Sequence, residues 1–191
     1  MIEAATVVAT ESGQVMREVI VAAAREAEAQ ELPEGGDGTR LGVGADIVIP
    51  ASNFKGDVFY SPVSTLGVTH GHSGIFSTLQ TIVEAPGPGK QVRNTNRSNV
   101  KVASGSHQQV VNTTQAKRDK AVTKALTFVG RAYNLNFAFN KTANGAMNCS
   151  QVVWVAYKDG SGIDLDANGG NGVYPIDIKN SSHTSTYRIV K

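Results

Sequence analysis

The chain has 191 residues, about the size of one domain, with 18 Lys and Arg against 16 Asp and Glu, a formal net charge of +2. That balance argues against broad phosphate binding, because nucleic-acid recognition needs a basic excess on one face. Hydrophobic residues at 40% and charged residues at 18% exclude wholesale disorder, and 20 glycines favour a turn-rich fold with strands over a helical bundle.

Residues 14 to 29 read as an amphipathic helix, with Val15, Met16, Val19, Ile20, Ala23 and Ala27 at helical spacing and Ser12 as N-cap. The breaker cluster Leu32-Pro33-Glu34-Gly35-Gly36-Asp37-Gly38 then reads as a linker. Residues 1 to 38 are therefore expected to be a helical appendage, packed on the domain or serving as a pro-segment, and 39 to 191 the main domain. No run approaches the roughly 20 apolar residues that span a bilayer. The N-terminus has no positively charged region before an apolar stretch, so no signal peptide is read in it.

Short strand signals follow at 45–50, 56–60, 72–76, 80–85, 100–103 and 109–111, separated by turn residues such as Ser61-Pro62 and Pro86-Gly87-Pro88-Gly89. Their spacing suggests an antiparallel meander. Residues 94 to 108 are polar and read as a surface excursion. The period then changes: 114 to 133 is helical, with Ala121, Val122, Ala125, Leu126 and Val129 on one face. A polar loop from Asn134 to Asn148 precedes a second helix over 150 to 157, and a loop-rich tail ends in a strand over 184 to 190. Helix, strands, helices and strand in that order suggest an α+β fold.

The single cysteine excludes an internal disulfide and a Cys-based zinc cluster. Cys149 directly precedes an apolar helical run. A thiol there faces the positive end of the helix dipole and unpaired N–H groups, which favour thiolate and are placed to hold an oxyanion. The competing reading is a buried structural cysteine at the start of a core helix.

A thiolate nucleophile needs a base. Of four histidines, His72 begins the strand His72-Ser73-Gly74-Ile75-Phe76, where a neighbouring glycine leaves room for a substrate backbone. His70 and His72 alternate and so share a face, but without an acidic neighbour they make a poor metal pair, and no metal or other cofactor is expected. The base in turn needs an orienter. If 72–76 and 80–85 form a hairpin, Glu84 comes opposite His72. Asp164, Asp166 and Asn168 have the spacing of a calcium loop, but the later bidentate Glu is missing, and a turn built from Asx side chains and glycines is the better reading.

Gly56-Asp57-Val58-Phe59-Tyr60, His72-Ser73-Gly74-Ile75, Ile82-Val83-Glu84-Ala85 and Asn148-Cys149-Ser150-Gln151-Val152-Val153 together resemble the NlpC-type papain-like cysteine peptidases. Because His and Glu precede Cys, the order is similar to the circularly permuted branch, the YiiX-like and YycO-like proteins. The tail, Asp164-Leu165-Asp166-Ala167-Asn168-Gly169-Gly170 and Val173-Tyr174-Pro175-Ile176-Asp177-Ile178, is similar to the YycO-like group in particular. The resemblance covers about residues 44 to 190.

It implies a papain-like α+β fold, with a central antiparallel sheet packed against the helix that carries the cysteine. It implies Cys149 as nucleophile, His72 as general base and Glu84 as orienter. Gly130-Arg131-Ala132-Tyr133 matches the family's Gly-x-x-Tyr pattern, which makes Tyr133 either an oxyanion donor beside the Cys149 N–H or a helix-end aromatic packed on the core. The implied activity is amide hydrolysis through a thioester, with peptidoglycan stem peptides as the leading substrate class. An exported, cell-envelope protein with its leader removed is the corresponding location, although a cytoplasmic chain fits the sequence too. Two alternatives stand beside it: a lipid acyl hydrolase or acyltransferase with the same triad, and a non-catalytic binding module on this scaffold.

Overall fold

The structure, a computed structural model, describes residues 45–65, 68–69, 71–136 and 139–191. The expected helix over 14–29, the linker, the appendage and pro-segment reading of 1–38, and His70 all lie outside the described residues.

Ten strands, three α-helices and a 3-10 turn, Arg97–Asn99, make up the described chain. The strands are β1 (Ala45–Val48), β2 (Val58–Ser61), β3 (Ser64–Thr65), β4 (Val68–Thr69), β5 (His72–Phe76), β6 (Thr81–Glu84), β7 (Arg93–Asn96), β8 (Lys101–Ala103), β9 (His107–Val111) and β10 (Thr184–Ile189). The helices are α1 (Gln115–Leu126), α2 (Cys149–Ser161) and α3 (Pro175–Asn180). The main sheet has six antiparallel strands in the order β10-β9-β2-β5-β6-β7. Strands β1 and β8 pair separately, as do β3 and β4. The architecture is α+β with antiparallel sheets and few helices.

The central strands read as apolar runs because both their faces are covered. Val58, Ile75 and Val83 turn one way, into a core shared with Ala121, Val122 and Ala125 of α1 and Val152, Val153, Ala156 and Tyr157 of α2. Their chain neighbours Phe59, Phe76 and Ile82 turn the other way, into a second core closed by Ile49, Val100, Val102 and Val190. Alternation along a strand thus feeds two cores.

Three expectations need correction. The stretch 94 to 108, read as a surface excursion, opens within β7, which pairs with β6 along its whole length. β7 is an edge strand with little burial to fill, so its sequence, Arg-Asn-Thr-Asn, carries no apolar alternation. The helix expected over 114–133 ends at Leu126, where Phe128 is buried in the core and Gly130 takes a φ of 89° that L side chains resist. The chain then runs beside Val92: the Gly130 N–H donates to Val92 O at 2.8 Å, and the Val92 N–H to Arg131 O at 2.8 Å. Third, the meander holds through β2, β5, β6 and β7 but not beyond, since β9 returns to pair with the other edge of β2 and β1 pairs with β8 in a separate sheet. The tail also contains a short helix, α3, with Pro175 at its first position and Asp177 accepting from the Tyr174 N–H at 2.8 Å.

Candidate active site

The cysteine helix starts at Cys149 itself. Asn148 is its N-cap, with the side-chain oxygen accepting from the Gln151 N–H at 3.0 Å, and the Gln151 side chain accepts in return from the Asn148 N–H at 3.3 Å. This capping box satisfies two groups that a helix start leaves orphaned, and it holds the cysteine at a fixed place in the first turn. Asn140, fully buried, fastens the cap to the tail. Its amide donates to Asn148 Oδ1 at 3.2 Å and Val173 O at 2.9 Å, and its oxygen accepts from the Val173 N–H at 2.7 Å.

His72 and Glu84 come from adjacent strands. Ile75 faces Val83 and Phe76 faces Ile82, so one step further Glu84 lies opposite Gly74, and His72 is its diagonal neighbour on the same sheet face. The directly opposite placement expected from the hairpin is therefore corrected by one pair. Along this diagonal the imidazole lies across to the carboxylate, with Nε2 to Oε2 at 2.7 Å. The Phe59 ring packs edge-to-face with the imidazole at a centroid distance of 5.4 Å.

The thiol meets the other side of that imidazole. Cys149 is hydrogen-bonded to the His72 ring and receives the backbone N–H groups of Ser73 and Ser150. Since Nε2 is committed to Glu84, Nδ1 is the nitrogen left to serve the sulfur. Cys149 is 4% exposed and Glu84 0%, whereas 16% of the His72 side chain remains reachable. The structure thus brings Cys149, His72 and Glu84 into one hydrogen-bonded line.

Electrostatics follow from that line. Burial pushes the Cys149 thiol up, but the hydrogen bond and charge of His72 outweigh it and hold the thiol below its ordinary value. Burial pushes His72 down, yet its bonds to Cys149 and Glu84, and the charges of both, push it up to about 10. Burial raises Glu84, and His72 together with Arg93 brings it below the usual carboxylate range. Both shifts run toward the charged forms, thiolate on Cys149 and imidazolium on His72. Tyr133 hydrogen-bonds to the thiol and is held protonated, well above the ordinary phenol, by burial and by the charge of Cys149. It packs partly on the core, but α1 ends well before it, so it is not a helix-end aromatic. It stands on the strap that runs past Gln91 and Val92, fixed by the Ala132 carbonyl, which accepts from the Met147 N–H at 2.9 Å.

Two residues that sequence reasoning passed over belong to the site. Arg93 grips the far oxygen of Glu84, with Nε at 3.0 Å and Nη2 at 2.7 Å from Oε1. Asn148 caps the nucleophile's helix. The Arg93 signal lay in β7, which the polar sequence hid; Asn148 was legible as a cap residue three positions before Gln151.

No group of three or more His, Cys, Asp or Glu side chains among the described residues is arranged to hold a metal ion. The calcium-like spacing in the tail is taken by the chain's own cations: Lys141 binds Asp166 and the Gly170 carbonyl, and Lys158 binds Asp164 at 2.9 Å. Asx turns shape the loop, with Asp164 accepting from the Asp166 N–H at 3.1 Å and Asn168 from the Gly170 N–H at 2.7 Å.

No family model matches the chain. A Bacillus subtilis (strain 168) protein described as "Uncharacterized protein YycO" is 38% identical over 134 residues, which is 69% of this chain and 54% of the relative. The chain therefore spans about half the length of the curated relative it matches. The crystal structure of the metalloprotein yiiX from Escherichia coli O157:H7, DUF1105, superposes with a TM-score of 0.50 at 14% identity, covering 71% of this chain and 97% of that one. At that identity the likeness is one of fold.

Proposed function

We propose that this homologue of YycO is a thiol hydrolase that cleaves amide bonds through a Cys149 thioester, with a papain-like, circularly permuted arrangement of its site. One observation carries the reading: a helix-start thiol hydrogen-bonded to a histidine whose second nitrogen sits 2.7 Å from a fully buried carboxylate. A purely structural cysteine needs neither partner.

In the acylation step the Cys149 thiolate adds to the amide carbonyl carbon. The oxygen that becomes negative is held by the Cys149 N–H, unpaired at the helix start, and by the Tyr133 hydroxyl. The imidazolium Nδ1–H passes its proton to the amide nitrogen as the C–N bond breaks, leaving a thioester and a free amine. Water then adds to the thioester carbon while its proton goes to Nδ1. The C–S bond breaks, its electrons return to sulfur, and the thiolate–imidazolium pair is restored.

The family resemblance favours peptidoglycan stem peptides as substrate, and with them a place in the cell envelope. Leu135 and Phe139, 39% and 64% exposed on the segment after Tyr133, favour a second reading with the same triad, an acyl-lipid hydrolase or acyltransferase. The test is direct. Wild type and Cys149→Ala are incubated with stem-peptide amides and with short-chain acyl lipids, and products and acyl-enzyme are read by mass spectrometry. Acylation of Cys149 by amides supports the peptidase reading, and acylation by lipids alone supports the second. Turnover that survives Cys149→Ala overturns both.

A further inference from the structure

Glu84 is a fully buried carboxylate with two ion-pair partners among the described residues, His72 on one oxygen and Arg93 on the other. Arg93 stands directly opposite Glu84 in the β6–β7 register and presents two donors to Oε1, at 3.0 and 2.7 Å. The guanidinium is itself steadied by the Asn99 carbonyl, 3.2 Å from Nη2, and its side chain is 31% exposed, so its charge keeps contact with solvent. A fork on one carboxylate oxygen leaves the other free to point in one direction only, at His72 Nε2.

The two partners do not act throughout a turnover. While His72 is an imidazolium, its hydrogen bond and charge act with those of Arg93 to offset the burial of Glu84. Once the proton has gone to the leaving amine, His72 is neutral and, among the described residues, Arg93 is the one cation still paired to the buried carboxylate. A buried carboxylate without a cation takes up a proton. A protonated Glu84 would donate to Nε2, which would place the imidazole proton on Nδ1, the nitrogen that must accept from water.

We infer that Arg93 is a positioning residue for thioester hydrolysis: it keeps Glu84 an acceptor while His72 is neutral, and so keeps the lone pair on Nδ1. This rests on the thiol-hydrolase reading above. In the step it serves, the water oxygen bonds to the acyl carbon, the water proton goes to Nδ1, and the acyl–sulfur bond breaks to return the thiolate. Arg93 touches none of the reacting atoms.

The probe is p-nitrophenyl acetate, whose ester acetylates a reactive thiol and releases a coloured phenolate. Wild type, Arg93→Met and Arg93→Lys are compared for the burst, which reads acylation, and for the steady state, which reads hydrolysis; intact mass reads the acetylated fraction. A wrong imidazole tautomer costs a triad hydrolase up to about 10⁴ in kcat, so the mixed population in Arg93→Met is expected to slow hydrolysis about ten- to a hundredfold. Its burst should stay close to wild type, and acetyl-Cys149 should accumulate. Arg93→Lys, with the charge but without the planar fork, should lie between. A second readout needs no turnover: nitrogen-15 shifts of neutral His72 in a Cys149→Ser background should report the Nε2–H tautomer with Arg93, and an Nδ1–H fraction in Arg93→Lys and Arg93→Met. Unchanged hydrolysis with an unchanged tautomer overturns the inference. If wild type forms no acetyl-Cys149, the thiol-hydrolase reading fails, and the tautomer still decides what Arg93 does to the imidazole.

Discussion

Replacing His72 with alanine should move the ionisation of Cys149 to the alkaline side, and alkylation by iodoacetamide reads this directly. An ordinary thiol with a pKa of about 8.5 is about 3% ionised at pH 7, so full ionisation is worth about thirtyfold in reactive form. Rate at one pH is a poor measure of it, because nucleophilicity falls about threefold for each tenfold gain in acidity. The midpoint of the pH profile is the sharper quantity. In wild type, the bond and charge of His72 outweigh burial, so the rate should rise through a midpoint below the ordinary thiol. A second change should follow near pH 10, where His72 gives up its proton and the ion pair is lost. In His72→Ala the two causes that pull the thiol down are gone. Burial remains, opposed by the Ser73 and Ser150 N–H groups, so the profile should show a single midpoint displaced to the alkaline side. Equal midpoints in the two proteins would refute the ion pair, and with it the reading of Cys149 as an activated nucleophile.

Gly74→Ala should destabilise the fold and the site together. Its Cβ would stand 2.7 Å from Phe59 Cε1, 3.1 Å from Ile82 Cγ2 and 3.1 Å from the Val83 carbonyl. Overpacking of that kind costs about 1–3 kcal/mol, read as a fall in Tm of about 2–4 °C per kcal/mol for a chain of this size. An unchanged Tm would refute the close approach. Asn148→Ala should cost about 1 kcal/mol through the lost cap, and Asn148→Asp, which keeps an acceptor, should recover most of it in thermal melts. Tyr133→Phe should lower kcat for p-nitrophenyl acetate by about 10²–10³, the usual loss for one oxyanion donor, and, with its hydrogen bond to the thiol gone, should move the alkylation midpoint to the alkaline side. A loss confined to KM would place Tyr133 in substrate binding instead.

Much of the site was legible in the residues themselves. A thiol before an apolar helical run, a histidine at a strand start and a glutamate at the end of the next strand carry chemistry that local spacing predicts, and all three stand together in the fold. Helix and strand positions followed where periodicity was strong. Reading failed where a segment's surroundings set its conformation: β7 is polar because it is an edge, and α1 stops early because Phe128 turns into the core and Gly130 takes a left-handed bend. Exposed edges and left-handed turns leave little hydrophobic period to detect.

The order of chemical groups along the chain, the placement of Cys149 at a helix start and the α+β class came from local sequence, since they depend on period, caps and turn residues. The diagonal between His72 and Glu84, the guanidinium behind Glu84 and the contact of the thiol with the His72 ring came from tertiary structure alone. Those contacts join residues far apart in the chain through strand register and burial. A single register step moves a side chain to the other face of a sheet, so no local pattern specifies them.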